Sequence, residues 1–112
     1  MSRSERRSGK RYVIDGLLLE IGGVDHETVD ISARSVAVIR KPGIDYASAK
    51  PPFRFKADRL GEINHCVSGL KVACERVATI VLEYRSECTA WESTLERYDV
   101  HAAVKPLEDV FG

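Results

Sequence analysis

Apolar residues recur along this chain at two spacings, and each predicts its own elements. From Tyr12 to Ile21 the chain is rich in Val, Ile and Leu and stops at Gly22-Gly23, which reads as a strand running into a tight turn. Gly16 inside that run predicts a bulge or a close backbone approach. His26 to Ile31 reads as a second strand leaving directly from the turn. Over Ser35 to Arg40, Val36, Val38 and Arg40 fall on one face and Ala37 and Ile39 on the other, the two-residue period of a strand. Pro42-Gly43 ends it, and residues 43–52, with Pro51-Pro52, form a loop. Phe53 and Phe55 then alternate with Arg54 and Lys56 as a half-buried strand.

The second half admits two readings. Ile63, Val67, Leu70, Cys74, Val77, Val81, Tyr84, Cys88, Trp91, Leu95, Tyr98 and Ala102 keep alternating four- and three-residue steps, the seam of one long coiled-coil helix. Against this, Ser68-Gly69 is a turn signal. Val77-Ala78-Thr79-Ile80-Val81 is β-branched at every position but Ala78, which favours a strand. Thr89-Ala90-Trp91-Glu92 has the form of a capping box, which starts a helix rather than continuing one. The reading adopted is strands near 70–75 and 77–85, then a helix over about 90–104 that buries Trp91, Leu95, Tyr98 and Ala102 and stops at Pro106. Short strands with turns and one closing helix predict a mainly β fold, a compact antiparallel barrel.

Charge changes this picture in one respect. The 112 residues hold 17 basic and 17 acidic side chains, yet the first eleven contain Arg3, Arg6, Arg7, Lys10 and Arg11 against Glu5 alone. Residues 1–11 therefore read as a flexible basic arm, too polar to order itself, and 12–112 as one domain. A basic tail on an otherwise acidic domain suits the grip of a small anion better than the coating of long nucleic acid. No apolar run approaches the roughly 20 residues of a membrane span, and no secretory leader is visible. Cys66, Cys74 and Cys88 make an odd number without a CxxC pair, which fits a reducing, cytoplasmic setting.

Two short patterns carry the candidate chemistry. Arg7 and Arg11 make an R-x-x-x-R spacing on the arm. Further on, Asp30 and Ser32 close the second strand, with Ser35 three residues after Ser32. Taken alone, the first is a solvated tail and the second an Asx or Ser turn that satisfies local backbone. Together they resemble the bipartite signature of the PilZ family, R-x-x-x-R followed by D/N-x-S-x-x-G, with Ser35 standing at the glycine position. The resemblance implies a six-stranded antiparallel β-barrel with a C-terminal α-helix. It also implies a receptor, not an enzyme, for the bacterial second messenger cyclic di-GMP. Arg7 and Arg11 would contact guanine and phosphate, and Asp30 and Ser32 would form the strand side of the site. Arg6 and Arg34 lie close enough in sequence to assist. Such a receptor would signal to a downstream protein as a monomer or weak homodimer, and the family accommodates a stacked pair of ligands. The alternative within the family is a degenerate module that binds protein and no nucleotide.

The residue chemistry suits that ligand. The guanidinium fork matches a guanine edge or a phosphate bidentately and its plane stacks on a base. An ionised Asp accepts from guanine N–H groups or holds an arginine in place. A glycine needed for positive φ would make Ser35 cost about 1 kcal/mol or more; one needed for close approach would make its hydroxymethyl group narrow the site. The remaining candidates carry less. His26, His65 and His101 share no compact ligand spacing with the cysteines, so no metal or other cofactor is expected. The cysteines read as buried, the histidines as surface residues, and Glu92, Glu96 and Asp99 as a solvated helix face.

Overall fold

The computed structural model describes residues 10–57 and 63–100. Among these residues six strands, β1 (Leu18–Ile21), β2 (Val24–Ile31), β3 (Ser35–Ile39), β4 (Phe53–Ala57), β5 (Ile63–Glu75) and β6 (Thr79–Arg85), with a 3-10 turn at Tyr46–Ser48 between β3 and β4, precede the α-helix α1 (Trp91–Tyr98). All neighbouring strands are antiparallel and close into a barrel in the order β1-β2-β3-β6-β5-β4. Closure leaves the sheet without a free edge.

The alternation along each strand sends one set of side chains inward. Leu19, Ile21, Ile31, Val36, Val38, Phe53, Phe55, Ile80 and Leu82 are all buried. Trp91 stacks on Phe55 at 5.4 Å between centroids, and Leu95 one turn later is fully buried, so α1 is pinned to the barrel core. The expected strands over 26–31, 35–40 and 53–56 all form within a residue or two of those bounds, and the Gly22-Gly23 turn joins β1 to β2. The single long helix does not form. Its seam residues up to Tyr84 lie on β5, β6 and the turn between them, where Val77 is 97% exposed.

Several boundaries differ from the sequence reading. The expected strand 12–21 is interrupted by a turn at Asp15-Gly16, where Gly16 adopts φ 85°, and only Leu18–Ile21 remains as strand. Before the turn, Tyr12 makes an isolated bridge to Ile31, with Tyr12 N–H donating to Ile31 O at 2.7 Å and Ile31 N–H donating back at 2.9 Å. Ser68-Gly69 is not a turn. β5 runs through it, with a register shift between Ser68 and Lys71 and Gly69 at φ 68°, so the glycine marks a bulge in a 13-residue strand. The strand expected from 77 starts at Thr79, because Arg76 N–H bonds Thr79 O across the hairpin turn.

At α1 the capping box is absent. Ala90 holds the N-cap position without a side-chain bond, and the Glu92 carboxylate instead accepts from the Tyr12 hydroxyl at 3.0 Å. α1 breaks after Tyr98, where Asp99 turns extended (ψ 134°); Val100 is helical again, and the rest of the helix expected to about 104 lies outside the described residues. Asp99 Oδ1 accepts Val13 N–H at 2.8 Å and Val100 N–H donates to Val13 O at 2.7 Å, so pairing with the N-terminal segment accompanies the break at Asp99. Ala102 and Pro106 lie outside the described residues.

Three side-chain expectations are also corrected. Cys66, Cys74 and Cys88 are exposed, not buried. His26 is completely buried, its ring nitrogens 3.0 Å from Val24 O and 2.9 Å from Tyr46 Oη, and His65 is half-buried; His101 lies outside the described residues. Asp99 is buried rather than solvated, whereas Glu92 and Glu96 are exposed as expected, their carboxylates 3.0 and 3.5 Å from Tyr12 Oη.

Candidate functional site

The Tyr12–Ile31 bridge decides where the arm meets the barrel. Two backbone bonds lock Tyr12 against the last residue of β2, which sets Arg11 beside the turn between β2 and β3. There Arg11 Nη2 reaches Asp30 Oδ1 at 2.5 Å and Nη1 donates to Ser35 Oγ at 2.6 Å. The two halves of the sequence pattern, apart in the chain, thus meet side chain to side chain. Arg7 and Arg6 lie outside the described residues.

The turn itself is built by Ser32. Its hydroxyl accepts from Ser35 N–H at 3.1 Å and from Arg34 N–H at 3.3 Å, and lies 3.1 Å from Ser35 Oγ, while Ser32 N–H donates to Ser35 O at 2.7 Å. With 6% exposure, Ser32 shapes the turn and turns little surface outward. Ser35, at the glycine position of the pattern, opens β3. No non-glycine residue among those described has positive φ, so the serine carries no left-handed strain there. Its hydroxyl is occupied in holding Arg11.

Beneath the turn runs a buried chain that the sequence reading missed. The Tyr84 hydroxyl donates to Ser32 O at 2.5 Å and accepts from Trp91 Nε1–H at 2.7 Å, tying the turn, β6 and α1 together. Burial pushes the Tyr84 hydroxyl well above its ordinary pKa and keeps it a donor, against the opposing effects of the Trp91 bond and the Arg11 charge. Buried Tyr and Trp seek partners for their polar tips, which is the signal that could have found this chain. His65 stacks on Trp91 at 4.1 Å and 13°, its Nε2 2.7 Å from Ser86 Oγ, and burial holds its pKa below the usual histidine value.

The N-terminal segment is latched on its other side as well. The Tyr12 hydroxyl faces Glu92 and Glu96; burial first, then those carboxylates, raise its pKa. Arg34 is exposed and makes no ion pair or side-chain hydrogen bond among the described residues. It borders a groove of about 730 Å³ that continues along the end of β6 to the start of α1. No group of metal-ligating side chains occurs among the described residues, and no helix there is long and apolar enough to cross a membrane.

No family model and no curated protein matches the chain. Among solved structures, the crystal structure of an uncharacterized Legionella protein is similar, with TM-score 0.52 and 14% identity over 89% of this chain and 95% of that one. At that identity the likeness shows the fold.

Proposed function

We propose that this barrel is a receptor for cyclic di-GMP, bound where the N-terminal arm crosses the turn between β2 and β3. The observation that supports this most directly is the convergence of Arg11 with Asp30 and Ser35 at 2.5 and 2.6 Å. A guanidinium has five N–H donors. Asp30 and Ser35 fix its plane, and with the side chain 37% exposed its remaining donors and its face stay accessible to a guanine edge, a phosphate or a stacked base.

Preorganisation is the energetic argument. Ordering a loose residue costs about 1–2 kcal/mol, and folding has already ordered Arg11 through the Tyr12 bridge. A charge-assisted hydrogen bond contributes roughly 1.5–3 kcal/mol, so two or three from Arg11 and Arg7, with stacking, bring micromolar affinity, about 8 kcal/mol, within reach. The ligand would cover the arm's arginines and alter a surface offered to a downstream protein. We place this action in the bacterial cytoplasm, without catalysis and without a metal or other cofactor.

Titration calorimetry with cyclic di-GMP tests the reading. The wild type should give saturable heat. Arg7→Ala and Asp30→Ala should each weaken binding tenfold or more, since a lost bidentate contact exceeds about 1.4 kcal/mol. Absence of heat from the folded wild type would instead favour the protein-binding alternative, in which Asp30 and Ser35 hold Arg11 purely as a staple.

A further inference from the structure

The groove beside the turn has a composition that the two-part pattern does not explain. It is lined by Arg34 from the turn, Tyr84 and Arg85 from the end of β6, Glu87 and Cys88 from the following segment, and Trp91 from α1. Its volume of about 730 Å³ falls within the range of small-molecule sites. Arg34, Arg85 and Glu87 have no ion pair or side-chain hydrogen bond among the described residues, although ion pairs such as Arg54–Glu20 and Lys56–Asp25 form elsewhere on the barrel. Cations and an anion of one groove are therefore left uncommitted to each other. The Arg85 stem lies across Gly69, where even a Cβ would come 3.3 Å from Arg85 Cδ, so the bulge in β5 makes room for this side chain.

The geometry points to this groove as the guanine-selecting half of the site, with Arg85 and Glu87 reading the base. The inference rests on the cyclic di-GMP reading above. Guanine carries acceptors, O6 and N7, on one edge and N–H donors on another. An arginine fork answers the first and a carboxylate the second. The groove shares its wall with the Arg11 site, because Tyr84 lines it while donating to Ser32 O. A ligand with two guanines can then present one to Arg11 and the other to Arg85 and Glu87. Adenine offers an amino donor where guanine has O6, so the same groove should reject it.

The experiment uses the full chain with Cys66→Ser and Cys74→Ser, which leaves Cys88 as the one thiol, and follows its alkylation by iodoacetamide beside calorimetry. Cyclic di-GMP should slow Cys88 alkylation several-fold at saturation, cyclic di-AMP should bind at least roughly tenfold more weakly, and Arg85→Ala should weaken cyclic di-GMP by a similar factor. Binding of cyclic di-GMP with unprotected Cys88 and unaltered affinity in Arg85→Ala would overturn the groove assignment and leave the receptor reading intact. Equal affinity for the two dinucleotides would overturn guanine selection. Absence of any cyclic di-GMP binding would overturn both.

Discussion

Arg11 and His26 show how differently a charged and a neutral group are used in this barrel. The Arg11–Asp30 pair is about one-third exposed on both sides, and pairs of that kind contribute at most about 1 kcal/mol to stability. Arg11→Ala should therefore stay folded, with a nearly unchanged melting temperature, while losing cyclic di-GMP binding. His26 behaves in the opposite way. It is buried between Val24 O and the Tyr46 hydroxyl, and burial depresses its pKa below the usual 6.5. The unfolded chain then takes up a proton near pH 6.5 that the folded chain resists, so stability should be full above that pH and fall as pH drops through it, by up to about 1.4 kcal/mol per pH unit. Urea unfolding between pH 7.5 and 5.5 reads this slope; replacing His26 by Gln should reduce it, the remainder coming from His65, whose pKa burial also lowers.

At the scale of elements, the strands with a clean two-residue period were legible and the junctions were not. β3 and β4 follow directly from Val36 and Val38 and from Phe53 and Phe55. β5 was half hidden, because Gly69 looks alike in sequence whether it turns a chain or bulges a strand. Here the long-range pairing of Ser68 with Arg85 decides for the bulge. The Gly69→Ala variant should cost about 1 kcal/mol or more, from φ 68° and the 3.3 Å approach to Arg85, measured by urea unfolding. The end of α1 was illegible for the same reason: its stop is a tertiary contact. Asp99 reads as one more acidic residue on an exposed helix face, yet it accepts Val13 N–H from a segment at the other end of the chain. Asp99→Ala leaves that donor without its carboxylate partner and should destabilise the fold by about 1–3 kcal/mol, with loosening of the N-terminal segment visible as faster amide exchange at Val13.

For the whole molecule, the sequence offered a heptad seam and a barrel; the β-branched run over 77–81 pointed to the barrel that forms, whereas the Ser68-Gly69 turn and the capping box that argued alongside it do not form. The candidate site was legible as a pair of patterns, and Ser35 as their departure. The partner of Ser35, the Arg11 guanidinium, could be identified only once the Tyr12–Ile31 bridge brought the first strand segment to the end of β2. The Tyr84–Trp91 chain and the Arg85 groove stayed hidden because they join residues from three elements. Nitrogen-15 amide spectra recorded while cyclic di-GMP is added would decide whether the arm and the β2–β3 turn hold the ligand, since they report both binding and place. Saturable shifts are expected at Arg11, Tyr12 and residues 30–35, with the Glu20–Lys56 face of β1 and β4 undisturbed. Spectra unchanged at millimolar ligand, or shifts confined to the Glu20–Lys56 face, would contradict binding at the arm and turn.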